Sequence, residues 1–134
     1  MANTAYFAAP VRGPNGDQAS ADEIQENIVQ GIRQCKVIRN ILPDWWIYCP
    51  HEHEDLYQAA WRHGNIVSDD VLSQCFDILS LTDYLFVAGD PEKSAGVRAE
   101  MRHAVKSGIP MMPLWRIPEK NWAPILETTL EPVK

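Results

Sequence analysis

The chain has no basic block, no long apolar run and no C-x-x-C pair, and each absence removes a class of function. Its 12 lysines and arginines face 18 aspartates and glutamates, for a formal net charge of −6. Holding a nucleic-acid duplex requires a positive face that displaces phosphate counterions, so no duplex partner is expected. A single small anion remains open, because one or two local arginines suffice. No run approaches the roughly 18–20 apolar residues that span a bilayer, so no membrane partner is expected either. Met1-Ala2-Asn3-Thr4 has neither the basic nor the apolar region of a secretory signal. Cysteines number only three, Cys35, Cys49 and Cys75, widely spaced. They read as reduced core residues of a cytoplasmic protein.

What is present suits one folded domain over residues 1–134, with hydrophobic residues at 46%. No repeat, low-complexity tract or linker divides it. Thr4 to Ala9 reads as a short strand stopped by Pro10, followed by the polar loop Arg12 to Asp17. Ser20-Ala21-Asp22-Glu23 is a capping box opening a long helix with a stripe of Ile24, Ile28, Ile32 and Cys35, closed by Pro43. Trp45 to Cys49 reads as a second strand, and a polar stretch from His51 to Asn65 leads to a helix from about Val67 to Leu81. Tyr84 to Ala88 is a third strand. A helix from Ser94 to about Gly108 precedes a fourth strand, Met111 to Trp115, and a proline-rich tail has room for one short helix near Ile125. Alternation of strands and helices predicts an α/β class, a flavodoxin-like three-layer fold with a parallel sheet of four to five strands. Right-handed crossovers put the loops after the first three strands on one edge, where ligands bind in such sheets.

The segment Ser94-Ala95-Gly96-Val97-Arg98-Ala99-Glu100 is the most informative. It follows a buried-strand pattern and a small-residue turn, Gly89-Asp90. Glu100 falls in the first two turns of the new helix, and its same-face neighbours Val97 and Ala104 are apolar. A carboxylate so placed is a candidate for chemistry; the plain alternative is a surface glutamate stabilised by the helix dipole.

Tyr6-Phe7-Ala8-Ala9-Pro10-Val11-Arg12-Gly13, with Ser94-x-Gly96-x-x-x-Glu100 and Gly108-Ile109-Pro110, resembles the nucleoside 2-deoxyribosyltransferase-like superfamily. The likeness spans roughly residues 4 to 115 and is closest to its small DUF4406-type members, related to the deoxynucleoside 5′-monophosphate N-glycosidases. It implies that Glu100 attacks the anomeric carbon of a nucleoside or nucleotide, and that water or a second base resolves the glycosyl-enzyme. It implies that Tyr6 orients Glu100, that Arg12, Gly13, Ser94 and Gly96 hold the sugar or its 5′-phosphate, and that Asp90 meets sugar hydroxyls. His51, ending the second strand, is a further candidate to line the pocket. One position departs from the pattern: the acid that helps protonate the leaving base stands about eight residues before the aspartate opening strand three. Counting back from Asp83 reaches Cys75. Asp69, Asp70 and Asp77 are nearby but differ in helical phase.

The chemistry agrees with these roles. Breaking an N-glycosidic bond builds positive charge on the sugar, which a carboxylate stabilises and can trap. A helix N-terminus offers free N–H groups to an anion, and Arg12 adds a bidentate contact. Each residue also has an ordinary reading: Tyr6 as core packing, Arg12 as a solvated loop arginine. His51-Glu52-His53-Glu54 does not match the four-residue histidine spacing of zinc helices, and Glu100-x-x-His103 lacks the second copy a di-iron site needs. No metal and no cofactor are expected. No G-x-S-x-G elbow surrounds Ser94. Of five tryptophans, Trp45, Trp46, Trp61, Trp115 and Trp122, Trp61 is best placed to stack on a base and the rest suit core or subunit contacts.

Two functions therefore compete ahead of a purely structural subunit. The first is an N-glycosidase or deoxyribosyltransferase; the second, favoured by Cys75, is a non-catalytic nucleotide or nucleotide-sugar binding module. Either is expected as a homodimer or higher homo-oligomer, because a short chain makes a shallow pocket.

Overall fold

Along β1 (Thr4–Ala8) the side chains alternate between two buried layers. Ala5 and Phe7 belong to one hydrophobic cluster, Tyr6 and Ala8 to the other. A strand covered on both faces must be apolar throughout, which is the signature of a central parallel strand. The computed structural model describes residues 3–54, 59 and 68–129. Within them, α1 (Ala21–Ile41) follows β1, and β2 (Trp46–Tyr48) follows α1. Then come α2 (Ser68–Leu79), β3 (Tyr84–Val87), α3 (Ala95–Ser107), β4 (Met111–Pro113) and α4 (Trp122–Thr129).

The described strands form one four-stranded sheet, all neighbours parallel, in the order β2-β1-β3-β4. Helices α1 and α4 contact each other on one face; α2 and α3 do so on the other. This is the flavodoxin-like three-layer arrangement that strand–helix alternation predicts. The register between β1 and β3 is pinned at its start. Asp83 Oδ2 accepts the Thr4 N–H at 2.9 Å and the Thr4 hydroxyl at 3.0 Å, while the Asp83 N–H donates to the Thr4 carbonyl at 3.0 Å. A one-residue slip would swap the two buried faces, so this clamp decides which side Tyr6 enters. Among the described residues no helix is long and apolar enough to cross a membrane.

Element ends differ from the sequence expectation where a backbone donor is missing or a cap intervenes. β4 stops at Pro113, which has no N–H to continue the ladder, and Leu114–Arg116 turn into a 3-10 helix instead of extending the strand to Trp115. The polar loop after β1 also winds up, as a 3-10 helix over Gly13–Gln18 with positive φ at Gly13 and Gly16. β1, β2 and β3 are each trimmed at one or both ends. Ser20 caps α1, its hydroxyl accepting the Glu23 N–H at 3.1 Å. The α1 stripe is buried at Ile28, Gly31, Cys35 and Ile38, one turn further along than expected, with Ile24 and Ile32 only half-buried. Val67, the expected start of the second helix, and Trp61, the expected base-stacking residue, lie outside the described residues.

Two glycines let backbone segments approach behind the sheet edge. A β-carbon on Gly89 would lie 2.0 Å from Pro10 Cδ, so the chain leaving β3 rests directly on the chain leaving β1. A β-carbon on Gly31 would lie 2.4 Å from the His51 ring, so that ring is seated on the bare backbone of α1. Replacing Gly31 by Ala therefore pits helix propensity against packing. Propensity alone favours alanine by roughly 0.8–1 kcal/mol. Overpacking a closed site costs about 1–3 kcal/mol and pushes His51 aside. Net destabilisation is expected in urea denaturation of Gly31→Ala; an unchanged or raised midpoint would mean that the His51 ring is not held against α1.

Candidate active site

The chain leaves β1 toward β2 on one side and returns to β3 on the other, so a crevice opens between the ends of β1 and β3. The loops that follow β1, β2 and β3 enclose a cavity of about 560 Å³ there. Tyr6 comes to it from β1, Arg12 and Gly13 from the turn beyond, and His51 and Glu54 from the segment after β2. Cys75 enters from α2, and Ser94, Gly96 and Glu100 from the start of α3.

Glu100 is held well away from its ordinary state. It is buried, and its Oε2 has no hydrogen-bond partner. Burial pushes its carboxyl up to about 7; Tyr6 and His51 pull the other way, and Glu54 adds to the rise. Nothing in the core requires a carboxylate here: the same face of α3 buries Val97 and Ala104. A desolvated acid facing a cavity is the kind of group that active sites keep.

Tyr6 is fully buried, and burial, with Glu100 nearby, holds its hydroxyl well above the usual tyrosine range. It therefore keeps its proton. The hydroxyl lies near both Cys75 and Glu100 but closes a hydrogen bond of regular geometry with neither. Cys75 lines the same cavity, and burial pushes its thiol up to about 11. At neutral pH it is a neutral thiol.

His51 is also buried. One ring nitrogen, Nε2, stands 3.2 Å from the Pro10 carbonyl, an acceptor only, so that nitrogen carries the proton. Its ring meets Phe7 edge-on, with centroids 5.6 Å apart. Burial opposes a charge on the ring, yet Cys49, the Pro10 carbonyl and Glu54 outweigh it and its pKa is raised.

The start of α3 is built for exposure of its backbone. Ser94 caps it, its hydroxyl accepting the Val97 N–H at 3.2 Å. Arg98 braces the preceding turn, donating to the carbonyls of Pro91 at 2.8 Å and Glu92 at 3.1 Å. A β-carbon on Gly96 would touch only Ser94 Oγ, at 3.8 Å. The fold itself has room for a side chain there, and that room belongs to the cavity.

Of the sequence candidates, Tyr6, Arg12, Gly13, His51, Ser94, Gly96 and Glu100 all line this one cavity. Asp90 does not. Its Oδ1 accepts the Glu92 N–H at 3.0 Å and caps the 3-10 turn Pro91–Lys93, so its carboxylate is spent on the loop instead of facing the cavity. Sequence reasoning missed Glu54, which is buried in the lining. The available signal was its spacing: Pro50 starts a helical turn at the ligand edge, and residues three apart share a face, so Glu54 follows His51 inward. It also missed Lys93, Arg98 and Arg102. With Arg12 they put four of the chain's 12 lysines and arginines on the cavity lining. Among the described residues no group of three or more His, Cys, Asp or Glu is arranged to hold a metal ion.

The raised Glu100 pKa has a consequence independent of any ligand. The folded chain keeps this proton up to about pH 7, while an exposed glutamate releases it near 4.5. Between those values the folded state binds more protons, so stability falls as pH rises from about 4.5 through 7. The shift corresponds to a loss on the order of 3 kcal/mol. Glu100→Gln removes it, so the variant gains on the wild type with rising pH; a stability difference that stays flat from pH 4.5 to 8 in urea denaturation would contradict a buried carboxyl. Compared with protein-family models, with curated proteins and with solved structures, the chain matches none.

Proposed function

We propose that this protein cleaves the N-glycosidic bond of a nucleotide or nucleoside, by hydrolysis or by transfer of the sugar, with Glu100 as the nucleophile. The observation that carries this reading is the Glu100 carboxyl itself, buried with an unpartnered oxygen beside the Tyr6 hydroxyl in a cavity lined by four cations. An oxocarbenium-like transition state needs a negative charge next to the anomeric carbon and little water around it. Tyr6 supplies a proton donor that steadies the carboxylate without being consumed. Arg12, the α3 N-terminus and the other cations of the lining suit a 5′-phosphate. Ser94 acts through its cap, holding open the first turn that Gly96 leaves bare.

Cys75 favours a second reading, a nucleotide or nucleotide-sugar binding module with no chemistry, because a thiol held near 11 is a poor acid for a leaving base. Self-association is part of the proposal. Trp46, Leu81 and Val105, at 73%, 82% and 67%, are the most exposed of the large apolar side chains among the described residues, and contact between copies would cover such groups. A cytoplasmic setting, where thiols stay reduced, suits the free and buried Cys35, Cys49 and Cys75.

Incubation with ribo- and deoxyribonucleoside 5′-monophosphates, followed by chromatography for free base, separates the two readings. Base release is expected, rising with pH through about 7 as Glu100 ionises. Glu100→Gln should lower it by several powers of ten while ligand still binds. Binding without release, or full turnover by the variant, would favour the binding module. Arg12→Ala should weaken a nucleoside monophosphate roughly ten- to hundred-fold and leave the free nucleoside nearly unchanged. Calorimetric titration of both ligands checks this; equal losses would mean that Arg12 shapes the loop and does not read the phosphate.

A further inference from the structure

We propose that Glu54 is the acid that protonates the leaving base; the assignment rests on the reading of Glu100 as nucleophile. The cavity holds two carboxyl groups nearly removed from solvent, Glu54 at 7% and Glu100 at 9% exposure. They come from opposite sides. Glu54 follows β2 and Glu100 follows β3, and β1, carrying Tyr6, runs between those strands. A nucleotide lying across the end of β1 would thus have one carboxyl on each side, the arrangement that cleavage of a glycosidic bond uses.

The other proton-bearing groups of the cavity serve poorly. Cys75 and Tyr6 hold their protons far too tightly. His51 directs its Nε2 proton at the Pro10 carbonyl, and its ring is seated in the α1 layer against Phe7 and Gly31, across the sheet from Tyr6. Glu92 is exposed at the rim, away from the buried floor. Glu54 also shares its field with Glu100, Cys75 and His51. Two like charges in one dry site resist double ionisation, so the pair tends to keep one proton between them. Tyr6, beside Glu100, steadies the charge that Glu100 takes when it ionises, and that charge in turn opposes ionisation of Glu54.

In the first step the C1′–N bond breaks and its electron pair goes to the base. A ring nitrogen of the base takes the Glu54 proton, and a Glu100 oxygen bonds to C1′. In the second, water attacks C1′, the C1′–O bond to Glu100 breaks, and the water's proton returns to Glu54. The sum is nucleotide plus water giving sugar phosphate plus free base, with both carboxyls restored.

The test uses a leaving group that needs no proton. An N7-methylated purine already carries positive charge and departs neutral. GMP and N7-methyl-GMP, in ribo and deoxy forms, are turned over by wild type, Glu54→Gln and Glu54→Asp, with spontaneous release subtracted and folding checked by circular dichroism. Glu54→Gln should lose about 10²–10⁴-fold on GMP and less than about tenfold on the methylated nucleotide. Glu54→Asp, which keeps an acid at shorter reach, should recover part of the loss; it carries the same comparison if the glutamine variant does not fold. Equal losses on both nucleotides, or no loss on GMP, would overturn the assignment and leave Glu100 as it stands. Wild-type protein that releases base from neither nucleotide would instead remove the reading of the site, and Glu54 with it.

Discussion

Holding the Glu100 carboxyl out of water costs free energy that the surrounding structure must offset. Its neighbours on α3, Val97 and Ala104, are fixed in the layer between that helix and the sheet, so the side chain cannot swing to solvent without disturbing the core. Ser94 fixes where the helix begins and Gly108, at φ 72°, where it ends. Arg98 ties the helix to the turn before it. Rotating α3 by one residue would replace Glu100 with Ala99 or Met101, and the cavity would lose its charge.

The sheet supplies the other half of the constraint. Thr4 and Asp83 lock β1 against β3, and the lock sends Tyr6 to the same face as α2 and α3. Phe7, one residue on, goes to the opposite layer and meets His51. One register thus decides both that a phenol stands beside Glu100 and that an imidazole backs the other wall. Gly31 and Gly89 permit the close approach of α1 to His51 and of the β3 loop to Pro10. The polar groups of the cavity are thus held from behind by packing and backbone contacts.

Much of this was legible in the sequence. Continuous apolar runs bounded by Pro10, Pro50 and Gly89 marked three parallel strands, and the serines at 20 and 94 marked two helix starts. Their common edge assembled seven of the eight candidate residues. Asp90 was misplaced because an aspartate one residue before a proline caps the next turn as readily as it faces a ligand, and only the loop's path decides. Glu54 was hidden inside a run of four polar residues that reads as solvated; its burial depends on a 3-10 turn started by Pro50 and on contacts from distant elements. The lining cations were missed for a similar reason. Lys93, Arg98 and Arg102 are dispersed along a loop and a helix, and only the fold gathers them around one opening in a chain of net charge −6.

The central claim is that Glu100 forms a bond to the anomeric carbon, and trapping that bond tests it most directly. A 2′-fluoro-2′-deoxyarabinonucleoside 5′-monophosphate slows the breakdown of a glycosyl-enzyme, because fluorine destabilises the cationic transition state. Intact-protein mass spectrometry followed by peptide sequencing would then show one fluorosugar phosphate on the chain, carried by Glu100. A chain left unlabelled, or a label carried by another residue, would contradict the account.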